Sequence, residues 1–317
     1  MAVWTIILFL VGFYILVKGA RILVDGASSV ARLFKISPWV VGIVIVGIGT
    51  SVPELAINIA SAVAGTSIGV GTIIGSNIFN ALFILGAVAV VGAVRFRPQW
   101  VHRDIMLTLL AILFTGAFLI FPLIGDFSGV TRGEGAIVFL AFVGWVWFML
   151  RQKREESPDE DYTSFTLTTS LLLIIGGILG VFFGGRWVVD GASVIATWLG
   201  VGESVIALTI VGAGTSLPEL TVSLAAAWRG RGDIAVGNII GSNIFDFLGI
   251  IGITSLIRPV PFVITLIPDL AFAFVAILLI LGSLFMGDDY VLKRRYGALF
   301  IALYIGYLIL LLTHAVG

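Results

Sequence analysis

The chain has 317 residues, of which 59% are hydrophobic and 11% charged, and its formal net charge is zero. A mean hydropathy of +1.16 excludes a soluble globular domain, where about a quarter of the residues are charged. With no cysteine and only two histidines, His102 and His314, disulfides are excluded and zinc or copper centres are not expected; nor is a nucleic-acid partner, and the medium is a lipid bilayer.

The unit to count is an apolar run of about 20 residues, enough to cross a hydrocarbon core of roughly 30 Å as a helix. Ten such runs are predicted, near residues 2–18, 37–63, 68–93, 105–124, 134–150, 167–185, 201–227, 234–257, 263–285 and 297–315. They are apolar on every face and do not alternate as barrel strands do, so the expected fold is an all-α membrane protein of ten transmembrane helices. No basic residue precedes the first run, and Lys18 and Arg21 follow it at once, which reads as a retained helix with its N-terminus outside. From that start, all but Arg132, Arg186 and Arg258 of the 18 Lys and Arg residues fall on the cytoplasmic side. The positive-inside tendency therefore supports ten spans with both termini outside the inner membrane.

The chain is written twice. "GARILVDGAS" from Gly19 returns as "GGRWVVDGAS" from Gly184, and "GIGTSVPE" from Gly47 returns at the same offset as "GAGTSLPE" from Gly212. "GTIIGSNIFN" from Gly71 returns one residue further along as "GNIIGSNIFD" from Gly237. Residues 1–150 and 167–317 are thus two five-helix repeats, with 151–166 as a solvated cytoplasmic linker. Five is odd, so the second repeat enters the membrane from the opposite side. Inverted repeats place a site at the midplane where interrupted helices meet.

Those interruptions carry the chemistry. Pro53 and Pro218 each remove a helix hydrogen bond, and Gly47, Gly49, Gly212 and Gly214 weaken the turn before. Freed carbonyls in hydrocarbon are tolerated only where protein, water or an ion satisfies them. Thr50, Ser51 and Glu54 share one helix face, as do Thr215, Ser216 and Glu219; Ser76 with Asn80 and Ser242 with Asp246 are spaced i,i+4. This all-oxygen set suits Ca2+, Na+ or Mg2+, and a flexible mixture of carbonyls and carboxylates favours Ca2+. The spans hold Glu54, Glu219 and Asp246 without a Lys or Arg to neutralise them, so mobile cations or protons must do so. One divalent ion, two monovalent ions or two protons exclude one another in such a pocket, which is the basis of exchange. Asn77 and Asn243 can satisfy broken backbone, and Arg21 with Asp25 and Arg186 with Asp190 read as i,i+4 ion pairs at helix ends.

At these residues the sequence resembles the cation/calcium antiporter superfamily, especially the prokaryotic sodium/calcium exchangers with two α-repeats. The resemblance implies Glu54 and Glu219 as central calcium ligands beside the carbonyls of Thr50 and Thr215. Sodium would use overlapping positions completed by Ser51, Ser76, Ser216 and Ser242, with backbone carbonyls at Gly47 and Gly212 and an asymmetric pair in Asn80 and Asp246. It also implies alternating access, the first and sixth helices sliding past a core of the other eight, with Gly12, Gly19, Gly176, Gly177, Gly180, Gly184 and Gly185 as sliding contacts.

The leading expectation is a secondary-active antiporter exchanging Na+ for Ca2+, with no cofactor. Protons, or potassium alongside sodium, remain alternative counter-ions. A channel or ion sensor is the alternative from another class, but the internal pseudo-two-fold lets the chain work as a monomer and favours a carrier. No nucleophile and base pair can be assembled from the spans, so an enzyme is not expected.

Overall fold

The computed structural model describes residues 2–121, 127–152, 165–200, 212–286 and 290–316. Most of the expected linker and the first part of the seventh span, 201–211, lie outside the described residues. The chain is almost wholly helical. In order come α1 (Ala2–Leu33), α2 (Pro38–Thr50), α3 (Val52–Ala64), α4 (Ile68–Val91), α5 (Trp100–Ile120), α6 (Arg132–Leu150) and α7 (Leu167–Trp198). A helical turn at Gly212–Gly214 precedes α8 (Leu217–Trp228), α9 (Gly232–Ile257), α10 (Ile264–Phe285) and α11 (Arg294–Val316).

Among the described residues, eight helices are long and apolar enough to span a bilayer, and α2 with α3, bent by 46° at the break, has the length and composition of a broken span or a re-entrant loop. The helices begin where side chains can satisfy free N–H groups. Thr131 and Glu134 form a reciprocal capping box at α6, and the Thr166 hydroxyl accepts from the Thr169 N–H at 3.2 Å at α7.

The expected first and sixth spans were too short. Both α1 and α7 run for 32 residues, because Lys18, Arg21 and Asp25 in α1 and Arg186 and Asp190 in α7 continue the helix instead of ending it. The two pack antiparallel along their length, through glycines. A Cβ at Gly19 would lie 2.8 Å from the Val181 N, one at Gly184 would lie 2.6 Å from the Leu16 N, and one at Gly177 would lie 2.6 Å from the Leu23 Cβ. These glycines therefore close α1 onto α7 and are not the sliding surface expected of them. Gly185 faces Leu217 and Pro218 instead.

α9 is buried along its whole apolar window and α4 along most of it, whereas α1, α7 and α11 leave long apolar faces exposed. The polar residues thus ride on the innermost helices. Two-residue strands join helix ends: β1 (Val94–Arg95) pairs antiparallel with β4 (Val291–Leu292), and β2 (Gly129–Val130) with β3 (Val260–Pro261). Corresponding turns share backbone conformation. Gly65 and Gly230 have φ of 75° and 72°, and Lys35 and Gly200 have φ of 53° and 79°.

Candidate ion-binding site

Each patch breaks its helix in the same way. Ser51, at φ −87° and ψ 14°, and Ser216, at φ −91° and ψ 11°, leave the helical conformation, and Pro53 and Pro218 stand in the first turn of the next helix. A proline has no N–H, so the ladder cannot run through it. It resumes at once, Leu55 donating to the Ser51 carbonyl at 3.2 Å and Leu220 to that of Ser216 at 3.0 Å. Glu54 and Glu219 are thereby held in the first turns of α3 and α8, where the helix dipole favours negative charge. Wide π-type turns cover Gly42–Gly47 in α2, Phe79–Ile84 in α4 and Phe245–Ile250 in α9. They carry Gly47, Asn80 and Asp246, and such turns recur at functional sites.

These elements bring the two patches together. Ser51 Oγ donates to Glu219 Oε1 at 2.9 Å, Ser76 Oγ to Asp246 Oδ2 at 3.2 Å, and Ser242 Oγ to the Gly47 carbonyl at 3.2 Å. Asn77 Nδ2 donates to Asp246 Oδ2 at 2.8 Å, Asn80 Nδ2 to Asn243 Oδ1 at 3.0 Å, and Thr50 Oγ1 to Asn238 Oδ1 at 3.0 Å. The Thr215 side chain approaches the Glu54 carboxylate. All of these contacts link a residue before 150 to one after 167. Gly212 opens its short helical turn, and Ser216 is fully buried.

Burial leaves a group of oxygens without partners. Both carboxylate oxygens of Glu54, Glu219 Oε2, Asp246 Oδ1, Asn77 Oδ1, Asn80 Oδ1 and Ser216 Oγ meet no hydrogen-bond partner in good geometry. Glu54, Glu219 and Asp246 are each 1% exposed, and among the described residues no Lys, Arg or His pairs with them. An unsatisfied buried acceptor is strongly unfavourable, and a buried unpaired charge more so. Among the described residues no three Asp, Glu, His or Cys side chains gather into a metal cluster on their own. A cation held here must therefore also use hydroxyl, amide and carbonyl oxygens, the hard donors that Ca2+ and Na+ accept.

Two cavities border the site at Thr215 and Ser76. One of about 360 Å³ is lined by Pro53, Thr215, Pro218, Arg186 and Asp190, and one of about 420 Å³ touches Ser76, Asp269 and Tyr307.

Sequence reading missed Asn58, Ser223 and Asn238. Asn58 Nδ2 donates to the Glu54 carbonyl at 2.9 Å, and Asn238 Nδ2 to the Glu219 carbonyl at 3.2 Å and to Ser223 Oγ at 2.9 Å. Asn238 was findable, because it lies one turn before Ser242 and Asp246 on the same i,i+4 stripe. Arg21 and Asp25 do not form the expected pair: Asp25 meets Arg229, in the turn after α8, whose guanidinium also donates to the Arg21 carbonyl at 3.3 Å. Arg186 and Asp190 do pair within α7, at 3.9 Å.

The chain matches the family model described as sodium/calcium exchanger protein over residues 4–151 and 169–313. It is 34% identical over 299 residues to the membrane protein MJ0091 of Methanocaldococcus jannaschii, covering 94% of each chain. It is 29% identical over 355 aligned positions to the sodium/calcium exchanger MaX1 of Methanosarcina acetivorans, covering 96% of this chain and 97% of that one. Its fold is similar to a solved structure of the sodium-calcium exchanger NCX_Mj soaked with zero Na+ and Ca2+, with a TM-score of 0.82 and 30% identity over 98% of this chain and 100% of that chain.

Proposed function

The chain belongs to the sodium/calcium exchanger protein family, and we propose that it is a secondary-active antiporter that exchanges Na+ for Ca2+ across the inner membrane by alternating access. The observation that carries this is the buried set of partnerless oxygens at the two helix breaks, with three carboxylates and no cationic side chain among the described residues. Glu54 and Glu219 hold Ca2+ with Thr50 and Thr215. Ser51, Ser216, Ser76, Ser242, Asn80, Asp246 and the carbonyls of Gly47 and Gly212 supply the overlapping sodium positions. The ions are cargo, each replacing the charge compensation of the other.

The proposed architecture is ten spans in two inverted repeats, 1–150 and 167–317, joined by the linker 151–166. Support comes from the matched wide turns of α4 and α9, the matched φ values of Gly65 and Gly230, and strands that pair crosswise between the halves. Both termini lie outside, and one chain suffices for transport. The cavity beside Arg186 and Asp190 opens on the outer side. Asp25 and Arg229 meet on the proposed inner side, which together with that cavity supports an outward-facing reading.

The test is uptake of radioactive calcium into proteoliposomes loaded with sodium, against potassium or choline at matched pH and clamped voltage. Uptake should require internal sodium and fall at least about tenfold in Glu54→Gln and in Glu219→Gln, the loss expected when a charged ligand is neutralised. Uptake that ignores sodium and follows a pH gradient would replace the counter-ion by protons. Full transport by Glu54→Gln would remove the site assignment.

A further inference from the structure

Asn238 is fully buried on α9 and uses its whole side-chain amide. Its Oδ1 accepts from Thr50 Oγ1 at 3.0 Å, and its Nδ2 donates to Ser223 Oγ at 2.9 Å and to the Glu219 carbonyl at 3.2 Å. The orientation is fixed by chemistry. A carbonyl can only accept, so turning the amide over would set two acceptors against each other at Glu219. Thr50 must therefore be the donor to Oδ1. A hydroxyl has one proton; that of Thr50 is directed at Asn238 Oδ1 at 3.0 Å and, more distantly, at the Gly47 carbonyl at 3.3 Å, and with the proton turned to these acceptors the oxygen's lone pairs are left for a cation.

The first half is built otherwise. There the Glu54 carbonyl takes its amide from Asn58, four residues on in the same helix. Ser223 stands at the corresponding place after Glu219 and carries no amide, so Asn238 reaches in from α9. The residue corresponding to Asn238 is Thr72, which bonds only the Ile68 carbonyl of its own helix, at 3.0 Å and at an exposed position. One strut, present once, thus ties a hydroxyl of the first broken helix to the backbone of the second.

We propose that Asn238 is a positioning residue that sets the preference for Ca2+ over Na+ by holding the Thr50 hydroxyl and the Glu219 backbone in one geometry. The inference rests on the reading of Thr50 and Glu219 as ion ligands. At similar distances each oxygen is worth about twice as much to a divalent ion as to a monovalent one, so Ca2+ loses more than Na+ when one ligand is released.

The experiment measures half-saturating external Ca2+ and Na+ in proteoliposomes. In Asn238→Ala the Ca2+ value should rise about tenfold, as for a hydrogen bond lost from a ligand shell, while the Na+ value moves less than about threefold. On a Thr50→Val background the same substitution should add clearly less than its tenfold effect alone, because its route through Thr50 is already gone and only that through the Glu219 backbone remains. Equal losses for both ions, or effects that multiply, would overturn the proposal and leave Asn238 a packing residue. Should Asn238→Ala fail to fold, Ser223→Ala removes one anchor of the amide and leaves the others. It should raise the Ca2+ value alone, by about threefold, and an unchanged ion ratio there overturns the proposal as well. Wild-type protein without sodium-dependent calcium uptake would instead sink the transport reading itself, which separates the two failures.

Discussion

Replacing Asp25 by Asn tests whether the contact between α1 and the turn after α8 is a latch of one transport state. Asp25 and Arg229 are 31% and 38% exposed, so water screens the pair, and pairs of that kind contribute about 0.2–1 kcal/mol. Arg229 keeps its bond to the Arg21 carbonyl, which the substitution leaves in place, so the lower half of the range applies. If the pair exists only when the inner side is closed, its loss shifts the balance of outward and inward states by about 1.4-fold to 3-fold.

The assay is calcium half-saturation on each face of oriented proteoliposomes. Asp25→Asn should lower the value on the inner face and raise it on the outer face, by factors within that range. Raising the ionic strength should mimic the mutant, since a Debye length near 8 Å already screens exposed pairs at physiological salt. Arg186→Gln is the control, because Arg186 and Asp190 pair within one helix and bridge nothing that moves apart. Shifts of the same sign on both faces, or an equal response in Arg186→Gln, would refute the latch.

Two predictions concern stability. The Trp39 indole donates to Asp104 Oδ2 at 2.7 Å and stacks on Trp100 at 4.1 Å, while Arg103 grips both Asp104 oxygens at 2.7 Å. Trp39→Phe keeps the stacking but removes one donor from a carboxylate that is fully buried. It should therefore cost about 1.5–3 kcal/mol, seen as a lower unfolding temperature in detergent with ion half-saturation unchanged; an unmoved transition would show the bond to be idle. Lys35 has a φ of 53° where the corresponding residue is Gly200. Lys35→Gly should stabilise the protein by about 1 kcal/mol by relieving left-handed strain, and a lower unfolding temperature would contradict this.

The helix breaks and their carboxylates were legible because their causes are local. A proline two residues beyond a serine stops the ladder wherever it occurs, and an acidic residue in a long apolar run is conspicuous whatever surrounds it. Partners were not legible. The spacing of Arg21 and Asp25 suggested a pair within one helix, but Arg229 arrives from a turn more than 200 positions away, and sequence spacing carries no information about that approach. The glycines of α1 and α7 show the same limit. Their small size announced a close helix contact, yet whether they face each other or the remaining helices depends on rotation about the axis, which tertiary packing decides. The ends of α1 and α7 were misplaced because charge was taken to mark the membrane edge. Lys18 and Arg21 are exposed while remaining helical, which long side chains on a tilted or protruding helix permit.

Identity between the two copies of a duplicated chain marks only part of a site. It finds what both halves share, namely the breaks, hydroxyls and glutamates, which create an oxygen-lined pocket on a two-fold plan. Two equal halves, however, would offer an ion two equal sets of ligands, with no reason to treat one position as different from the other. Among the differences, three pairs lie at the site: Asn58 against Ser223, Thr72 against Asn238, and Asn80 against Asp246. The first two decide from which helix each glutamate backbone is held, and the third decides where the additional negative charge lies. All three concern amide or carboxylate groups next to the partnerless oxygens. Discrimination between a divalent and a monovalent cargo depends on ligand number, charge and rigidity, and these are the properties that the unequal positions alter. On the proposed site assignment, the shared motif would account for binding a cation at all, and the residues that interrupt the symmetry would account for which cation is held and where.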